Sequence, residues 1–186
     1  LVDFNFNGWG DKQEHSHDAS IASLVSRQAD AYYLQSEIIG EGGGIEVDGN
    51  GTAIMTESSW INSNRNPGLT KAQVEAELKA NLGLRKIIWL PGIKNKDITD
   101  AHVDFYARFV KPGVVIANLD NDPKSYDYAV TRSHLQILQS ATDADGRKLV
   151  VHTLPPPLKV RSNVYTRNNP DFAPGYINYL PINGAV

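Results

Sequence analysis

The segment that decides the fold is EGGGIEVDGNG, residues 41–51, and a second segment, TDAHVDF, residues 99–105, begins about 60 residues later. Each segment opens a strand-like run, which is followed by a turn, a second strand, a helix and a third strand. Two consecutive ββαβ units with such a period predict a radially repeated α/β architecture. Because units of this kind cannot bury their faces alone, we expect more copies than this chain supplies.

The first unit has a local signal for each of its elements. A hairpin is predicted over Ile45–Ile61, because Asp48–Gly51 supplies residues that tolerate the positive φ of tight hairpin turns. Thr70–Gln73 fits a capping box and predicts the start of a helix, and Gly83 fits the position that ends it. The apolar run Lys86–Leu90 then predicts a short buried strand.

The second unit repeats this order of elements. Its strands are predicted over Val103–Val110, Val114–Leu119 and Leu149–Leu154, with a turn at 111–113 between the first two. A helix is predicted from about Tyr126 to Ser140, where apolar residues recur at helical spacing.

The residues before these units carry weaker signals. Alternation of apolar and polar residues predicts a strand over Leu1–Phe6. Two glycines around an aromatic residue in Asn7–Gly10 indicate a tight turn that holds the indole of Trp9 in a defined place. A helix is predicted over Ala19–Leu34, with Asp18 as its N-cap.

The whole chain, residues 1–186, is expected to form a single, incomplete domain. Its predicted modules are 1–40 (partial), 41–98, 99–160 and 161–186 (partial). Both ends of the chain look cut from something longer, since it begins at Leu1 and stops directly behind an apolar-rich stretch. The predicted core consists of apolar residues in the two complete units: Val47, Ile54, Val74, Leu78, Ile87, Ile88, Val103, Phe105, Val114, Val115, Ile116, Leu135 and Leu138.

The composition limits the chemistry. A net charge of −3 gives no electrostatic reason to expect nucleic acid or an anionic membrane as a partner. No apolar run approaches the roughly 18 residues of a membrane span, so we expect a soluble protein and leave its compartment open between cytoplasm and secretion. The absence of cysteine excludes disulfides and thiol catalysis from within this chain. Asn50-Gly51-Thr52 matches a glycosylation sequon, although a hairpin turn explains the same residues.

Acid–base side chains lie at the entry of each unit. His102 and Asp104 are two residues apart in or beside a predicted strand, so we expect both to point to the same face. Histidine suits general acid–base catalysis near neutral pH, although a structural histidine–carboxylate pair at a sheet edge has the same pattern. Glu41 precedes three glycines, which either open its carboxylate to a ligand or mark only a turn. If a rotation relates the two units, Glu41, His102 and Asp104 converge.

Such a site, with two carboxylates and one base, suits a cationic substrate. Guanidinium fits best, because its planar fork of donors matches carboxylates bidentately. Phosphate is disfavoured, since the glycine run lacks the Lys-Ser/Thr and the helix start of a P-loop. Trp9 could line this site or fill a gap in the core, and Arg65, in a polar loop, could bind a substrate carboxylate.

A metal site is the weakest alternative. His15, His17 and Asp18 could act as ligands, and a metal-dependent hydrolase would combine His15 and His17 with His102 and Asp104. A solvated loop explains the first three residues better, because a metal site needs three or four defined ligands. No metal and no cofactor are therefore expected.

The chain resembles the agmatine deiminase family, within the guanidine-modifying superfamily that includes bacterial peptidylarginine deiminases. The matching stretches run in the family's order: 3–10 (DFNFNGWG), 41–49 (EGGGIEVDG), 64–67 (NRNP), 88–92 (IWLPG), 99–104 (TDAHVD) and 175–179 (GYINY). The resemblance implies a five-bladed α/β propeller (pentein) of ββαβ modules, with about two to three modules in this chain. It also implies that a cysteine thiolate attacks the guanidinium carbon, that His102 is the general acid/base, and that Asp104 and Glu41 bind the guanidinium.

Two parts of the family's site are missing from this chain: the nucleophilic cysteine and a second guanidinium-binding aspartate. We therefore expect a fragment of a guanidine deiminase that acts on agmatine or peptidyl-arginine, partnered by the remaining parts of the same enzyme or by further copies of itself. The alternatives are a non-catalytic guanidinium-binding protein and an inactive truncated fragment.

Overall fold

A computed structural model of the chain describes residues 1–164, 166–167, 169, 172 and 174–180. The predicted partial module 161–186 therefore lies partly outside the described residues. In the part that the structure describes, the strands form one two-stranded sheet and two three-stranded sheets. No helix of this part combines the length and the apolar content that crossing a bilayer requires.

Residues 1–40 form a small sheet with irregular connections. Strand β1 (Val2–Asp3) pairs in parallel with β2 (Leu34–Gln35). Between them lie the single turn α1 (Gly8–Asp11), a 3₁₀ turn (Asp18–Ser20) and helix α2 (Ile21–Gln28).

The predicted elements of this part are too long. The strand over Leu1–Phe6 is wrong beyond Asp3, because Asn5 adopts a φ of 54°. The helix over Ala19–Leu34 stops at Gln28, and Asp30 follows with a φ of 47°. Asp18 is not the N-cap of α2, since it begins the preceding 3₁₀ turn.

The first repeated unit forms a mixed three-stranded sheet. Strand β3 (Glu46–Val47) is antiparallel to β4 (Thr52–Thr56), which is parallel to β5 (Lys86–Leu90). Helices α3 (Glu57–Trp60) and α4 (Lys71–Leu82) connect β4 to β5. The second arm of the predicted hairpin therefore ends before Ile61, because α3 takes up its last residues.

The second unit has the same strand order and the same strand directions. Strand β6 (Ala107–Lys111) is antiparallel to β7 (Val114–Asn118), and β8 (Val150–Leu154) is parallel to β7. Helix α5 (Asp127–Ser140) connects β7 to β8.

Local signals in the first unit are confirmed by the structure. The hydroxyl of Thr70 accepts a hydrogen bond from the backbone N–H of Gln73, whose side chain accepts one from the N–H of Thr70 in return. Gly83 ends α4 with a φ of 65°, in the left-handed region that favours glycine. Gly49 and Gly51 give the hairpin turn its positive φ values.

Each three-stranded sheet is entered through a 3₁₀ turn, formed by Gly42–Gly44 in the first unit and by Val103–Phe105 in the second. The predicted strand over Val103–Val110 is therefore wrong in its first half, and β6 begins only at Ala107. Val103 favours a strand locally, but its buried side chain packs into the core from a turn, so tertiary contacts override the local preference.

Two clusters of buried side chains form the core. One joins both units, with Ile54 and Leu90 from the first sheet packed with Val103, Val115 and Leu138 from the second unit. The other fills the space between the first sheet and α4. The predicted core residues found buried are Ile54, Val74, Leu78, Ile87, Ile88, Val103, Val115 and Leu138.

Five core predictions are wrong. Val47 is 45% exposed, because it belongs to a two-residue strand at the edge of its sheet. Phe105, Val114, Ile116 and Leu135 are only half-buried. On α5 the buried positions are Thr131, His134 and Leu138, so Leu135 lies to one side of the buried face.

Candidate active site

The structure brings Glu41, His102 and Asp104 together where the two 3₁₀ turns meet. The Nε2 atom of His102 lies 2.9 Å from Oε2 of Glu41. A Cβ added to Gly43 would lie 2.7 Å from Nδ1 of His102 and 2.8 Å from Oδ2 of Asp104. The three side chains meet because the turns face each other, whereas the expected strand geometry, with His102 and Asp104 on one face, is absent.

Glu41 is a buried carboxylate that stays ionised. Its side chain accepts hydrogen bonds from Nε of Arg65, at 2.8 Å to Oε1 and 3.1 Å to Oε2. Burial raises the pKa of Glu41, but the hydrogen bond with His102 and the charge of Arg65 outweigh this and lower its pKa overall.

The backbone before His102 is held in an unusual conformation. Asp100 and Ala101 have φ values of 61° and 66°, and both are fully buried. Neither is glycine, so this conformation costs energy and persists only where neighbouring groups hold it. The hydroxyls of Thr56 and Ser58 do so, since they donate to the carbonyls of Ala101 and Asp100 at 2.6 and 2.7 Å.

Arg65 is fully buried inside the protein. Its Nη1 donates to Oδ2 of Asp100 at 2.9 Å, and its Nη2 donates to the carbonyl of Thr99 at 3.0 Å. Its side-chain exposure is 0%, and its salt-bridge partners within the described part of the chain are Glu41 and Asp100. All three guanidinium nitrogens of Arg65 thus already donate to protein groups.

Asp100 and Lys12 complete this charge network, and sequence reasoning missed both. The Nζ atom of Lys12 donates to Oδ2 of Asp100 at 2.8 Å. Burial raises the pKa of Asp100. Hydrogen bonds from Lys12, the backbone of Asn95 and Arg65 have the larger, opposite effect and lower this pKa to about 2. Asp100 lies within the segment quoted for His102, yet only its tertiary contacts identify it as part of the network.

Asp104 has an unused acceptor. Its Oδ1 is buried and has no hydrogen-bond partner among the residues that the structure describes. Burial raises the pKa of Asp104, and the nearby charges of His102 and Arg108 offset this only in part. A buried acceptor without a donor is costly, so this oxygen is suited to a ligand that brings N–H groups.

Glu46 and Arg108 form a second buried pair, which sequence reasoning also missed. Oε1 of Glu46 accepts from the backbone N–H of Phe109 at 2.6 Å, and Oε2 lies 2.8 Å from Nε of Arg108. Burial raises the pKa of Glu46 to about 7 against the opposing effect of both contacts, and the charge of Asp104 raises it further. The sequence signal for Glu46 was an acidic residue in a short strand, which the structure places at the edge of its sheet.

Two adjoining cavities open at these residues. The larger, about 670 Å³, is lined by Trp9, Glu41, His102 and Asp104 among others. The smaller, about 550 Å³, is lined by Glu46, Arg108 and Tyr179, and it shares Asp104, Gly42 and Gly43 with the larger one.

Trp9 forms part of the wall of the larger cavity. Of the two alternatives for this residue, lining the site and filling a gap in the core, this position corresponds to the first. Its ring packs edge-to-face on Phe6 with 5.1 Å between the ring centres. All four residues of α1 have positive φ, including Trp9 at 58°, and Asp11 N donates to Asn7 O at 2.8 Å. This single left-handed turn sets the direction of the indole.

The residues proposed for a metal site do not converge. The imidazole of His15 contacts the carbonyl of Gln13, and His17 precedes the 3₁₀ turn at Asp18. Within the described part of the chain, no group of three or more His, Cys, Asp or Glu residues could hold a metal ion. The described residues therefore offer the metal-dependent alternative no ligand set.

The fold and the site define an α/β protein in which two ββαβ units meet at a buried acid–base cluster. The signature of the Porphyromonas-type peptidyl-arginine deiminases matches residues 1–186, and the chain belongs to this family. This confirms the resemblance drawn from the sequence.

Several relatives are known by name. The chain is 38% identical over 205 residues to agmatine deiminase of Pseudomonas fluorescens, covering 100% of this chain and 55% of that protein. It is 38% identical over 204 residues to agmatine deiminase of Medicago truncatula, covering 100% and 54%. A solved structure of agmatine deiminase from Enterococcus faecalis matches with a TM-score of 0.81 at 33% identity, over 85% of this chain and 45% of that one. The chain thus spans about half the length of the curated relatives it matches.

Proposed function

We propose that this chain is part of a guanidine deiminase, which hydrolyses the guanidinium of agmatine or of peptidyl-arginine to a ureido group and ammonia. In this proposal the chain supplies the acid–base and guanidinium-binding side of the active site. The names of the relatives support the reaction class. The carrying observation is the buried, unpartnered Oδ1 of Asp104, which lies in a cavity next to the ionised Glu41 and to His102.

The charges of the cavity support a guanidinium ligand. Asp104 and Glu41 both border the larger cavity, and a planar guanidinium offers each of them N–H donors. We assign Asp104 the main contact, because Glu41 already accepts hydrogen bonds from Arg65. Trp9 would flank the rest of the substrate with its apolar ring, while Arg65 supports Glu41 from behind.

The proposed reaction needs a thiolate, which this cysteine-free chain lacks. A thiolate supplied by another part of the enzyme adds to the guanidinium carbon, and the bond from carbon to a terminal nitrogen breaks as that nitrogen takes a proton from His102 and leaves as ammonia. His102 then removes a proton from water, which attacks the thiouronium carbon and releases the thiolate and the ureido product. Glu41 stabilises the imidazolium through its contact with Nε2.

We further propose that the complete enzyme is a five-bladed α/β propeller around a central substrate tunnel. Residues 41–98 and 99–160 would be two of its modules, and 1–40 and 161–186 parts of two others. The shared strand order of the two three-stranded sheets supports this arrangement, as does the match to a solved structure about twice as long. The missing modules would come from the rest of the same enzyme or from other copies of this chain.

Activity of the polypeptide that contains this segment tests the proposal. We expect ureido product and ammonia from agmatine or from an arginine peptide, and loss of both products in the variant His102→Ala. The absence of product from either substrate at every pH from 5 to 10 would contradict the deiminase.

A non-catalytic guanidinium-binding protein is the second candidate, and the complete absence of cysteine favours it. Calorimetry of this chain with agmatine separates the two when combined with the activity assay. Binding at millimolar concentration or below, weakened in Asp104→Asn, together with an inactive parent polypeptide would select the binding protein. Putrescine, which has no guanidinium, is the control ligand.

A further inference from the structure

We propose that Arg65 is a positioning residue, which couples Glu41 to the backbone segment that carries His102 and so sets the geometry of the Glu41–His102 pair. Its catalytic meaning rests on the proposed deiminase function, but the coupling itself can be measured without any activity.

The contacts of Arg65 span both units of the fold. Through Nε its guanidinium reaches Glu41, at the entry of the first unit. Through Nη1 and Nη2 it reaches Asp100 and the carbonyl of Thr99, two and three residues before His102. One rigid planar group therefore fixes the two partners of the acid–base pair relative to each other. A lysine ammonium cannot do the same, because it is a point charge on a flexible stem.

The segment that Arg65 holds is one that needs support. Asp100 and Ala101 both adopt left-handed φ values directly before His102. The backbone carbonyls here are held by Thr56 and Ser58, whereas the side chain of Asp100 is held by Arg65 and Lys12. Without Arg65, the side chain of Asp100 keeps Lys12 but loses its link to the site.

The charges around Glu41 make Arg65 the main control of its ionisation apart from His102. Among the described residues, the charged or titratable groups in contact with the Glu41 carboxylate are Arg65 and His102. Asp104 lies near the imidazole of His102, since a Cβ added to Gly43 would come within 3 Å of polar atoms of both side chains. Removing the guanidinium of Arg65 leaves the buried carboxylate of Glu41 with the imidazole of His102 as its remaining partner among these groups.

The test is a carbon-13 NMR titration of the Glu41 carboxyl group in this chain, assigned with Glu41→Gln. We expect the pKa of Glu41 to rise in Arg65→Gln, and to rise less in Arg65→Lys, which keeps the charge and loses the fork. The control is Arg85→Gln, which removes the ion pair of Arg85 with Asp145 at an exposed position and should leave Glu41 unchanged. If Arg65→Gln does not fold, Arg65→Lys carries the test. A folded variant at position 65 with a wild-type titration of Glu41 would overturn the proposal.

The kinetic readout uses the polypeptide that contains this segment. We expect Arg65→Lys to lower kcat for agmatine by about 10- to 100-fold with little change in KM, as is typical when the support of a catalytic group is lost. An unchanged kcat would also overturn the proposal. An inactive wild type would contradict the deiminase function alone, because the titration of Glu41 would still measure the coupling.

Discussion

Gly43 presents only a hydrogen atom to the two side chains that define the site. A Cβ here would come within 3 Å of polar atoms of both His102 and Asp104, whereas a Cβ on the neighbouring Gly42 would meet nothing within 4 Å. Neither glycine has a positive φ, so alanine fits the backbone at both positions. The two substitutions therefore differ in the space they occupy and form a matched pair.

We expect Gly43→Ala to weaken agmatine binding by about 10- to 100-fold, since overpacking of this kind costs roughly 1–3 kcal/mol. Gly42→Ala should bind like the wild type. Calorimetry of both variants checks the prediction, and equal affinities for the two would show that the space next to Gly43 is not used by the ligand.

Glu46 makes the stability of the protein depend on pH. Its folded-state pKa of about 7 exceeds the ordinary value of 4.5, so the native protein holds this proton more tightly than the unfolded chain. The resulting stabilisation is complete below about pH 4.5 and is lost as the pH rises to about 7, by roughly 3 kcal/mol.

We expect Glu46→Gln to remove this part of the pH dependence, because glutamine does not titrate. Urea unfolding at pH 4.5, 6 and 8 gives the free energy of unfolding of the variant and of the wild type. The contributions of other titrating groups cancel in the difference between the two proteins. A difference in free energy of unfolding that stays constant across the three pH values would contradict the prediction.

Sequence reasoning predicted the meeting of Glu41, His102 and Asp104 but not the residues behind them. The repeat alone indicated that the entries of the two units lie at the same end of the fold. The roles of Arg65 and Asp100 in the buried ion-pair network could not be predicted from the repeat. Which side chains lose contact with water depends on how the two units pack together. Arg65 lies in a polar loop of the sequence, yet its side chain is fully buried.

At the scale of elements, helix α4 was predictable because its limits are set by neighbours in sequence. Thr70 and Gln73 cap one end with reciprocal hydrogen bonds, and Gly83 closes the other. The entry of the second unit was not predictable, since Val103–Phe105 forms a turn that follows the constrained backbone of Asp100 and Ala101. The local sequence predicts an element correctly where the contacts that set its limits are between residues close in sequence.

We expect Thr70→Ala to destabilise the protein by about 1 kcal/mol, the usual contribution of an N-cap hydroxyl. Gln73→Ala should cost less alone, and the double variant should cost less than the sum of the two, because the two side chains bond to each other's backbone. Denaturant unfolding of the four proteins gives the coupling energy. Strict additivity would mean that the capping box contributes nothing as a unit.

At the scale of the whole molecule, the two units share one core. Ile54 of β4 is fully buried in the cluster that also contains Val103, Val115 and Leu138 of the second unit. The backbone N–H of Phe109 in β6 donates to the side chain of Glu46 in β3, so an edge strand of one sheet is linked to an edge strand of the other. A disturbance in one sheet should therefore be felt in the other.

We expect Ile54→Ala to destabilise the chain by about 2–5 kcal/mol and to lower amide exchange protection in both three-stranded sheets. Hydrogen exchange followed by NMR checks this. The matched control is Val150→Ala, because Val150 lies on β8 and its side chain is exposed. This variant should leave amide exchange protection in the first sheet unchanged. Loss of protection confined to β3, β4 and β5 after Ile54→Ala would show that the units unfold independently.

The turn α1 gives the cavity wall a handedness of its own. Because its four residues all have positive φ, the backbone there follows the path that D-amino acids prefer, and Trp9 adopts it at a cost that its L configuration imposes. A D-tryptophan at this position would relieve the backbone, but its Cβ would leave the α-carbon on the opposite side and the ring would point away from the cavity. The direction in which the indole points therefore depends on the L configuration of the Trp9 α-carbon as much as on packing.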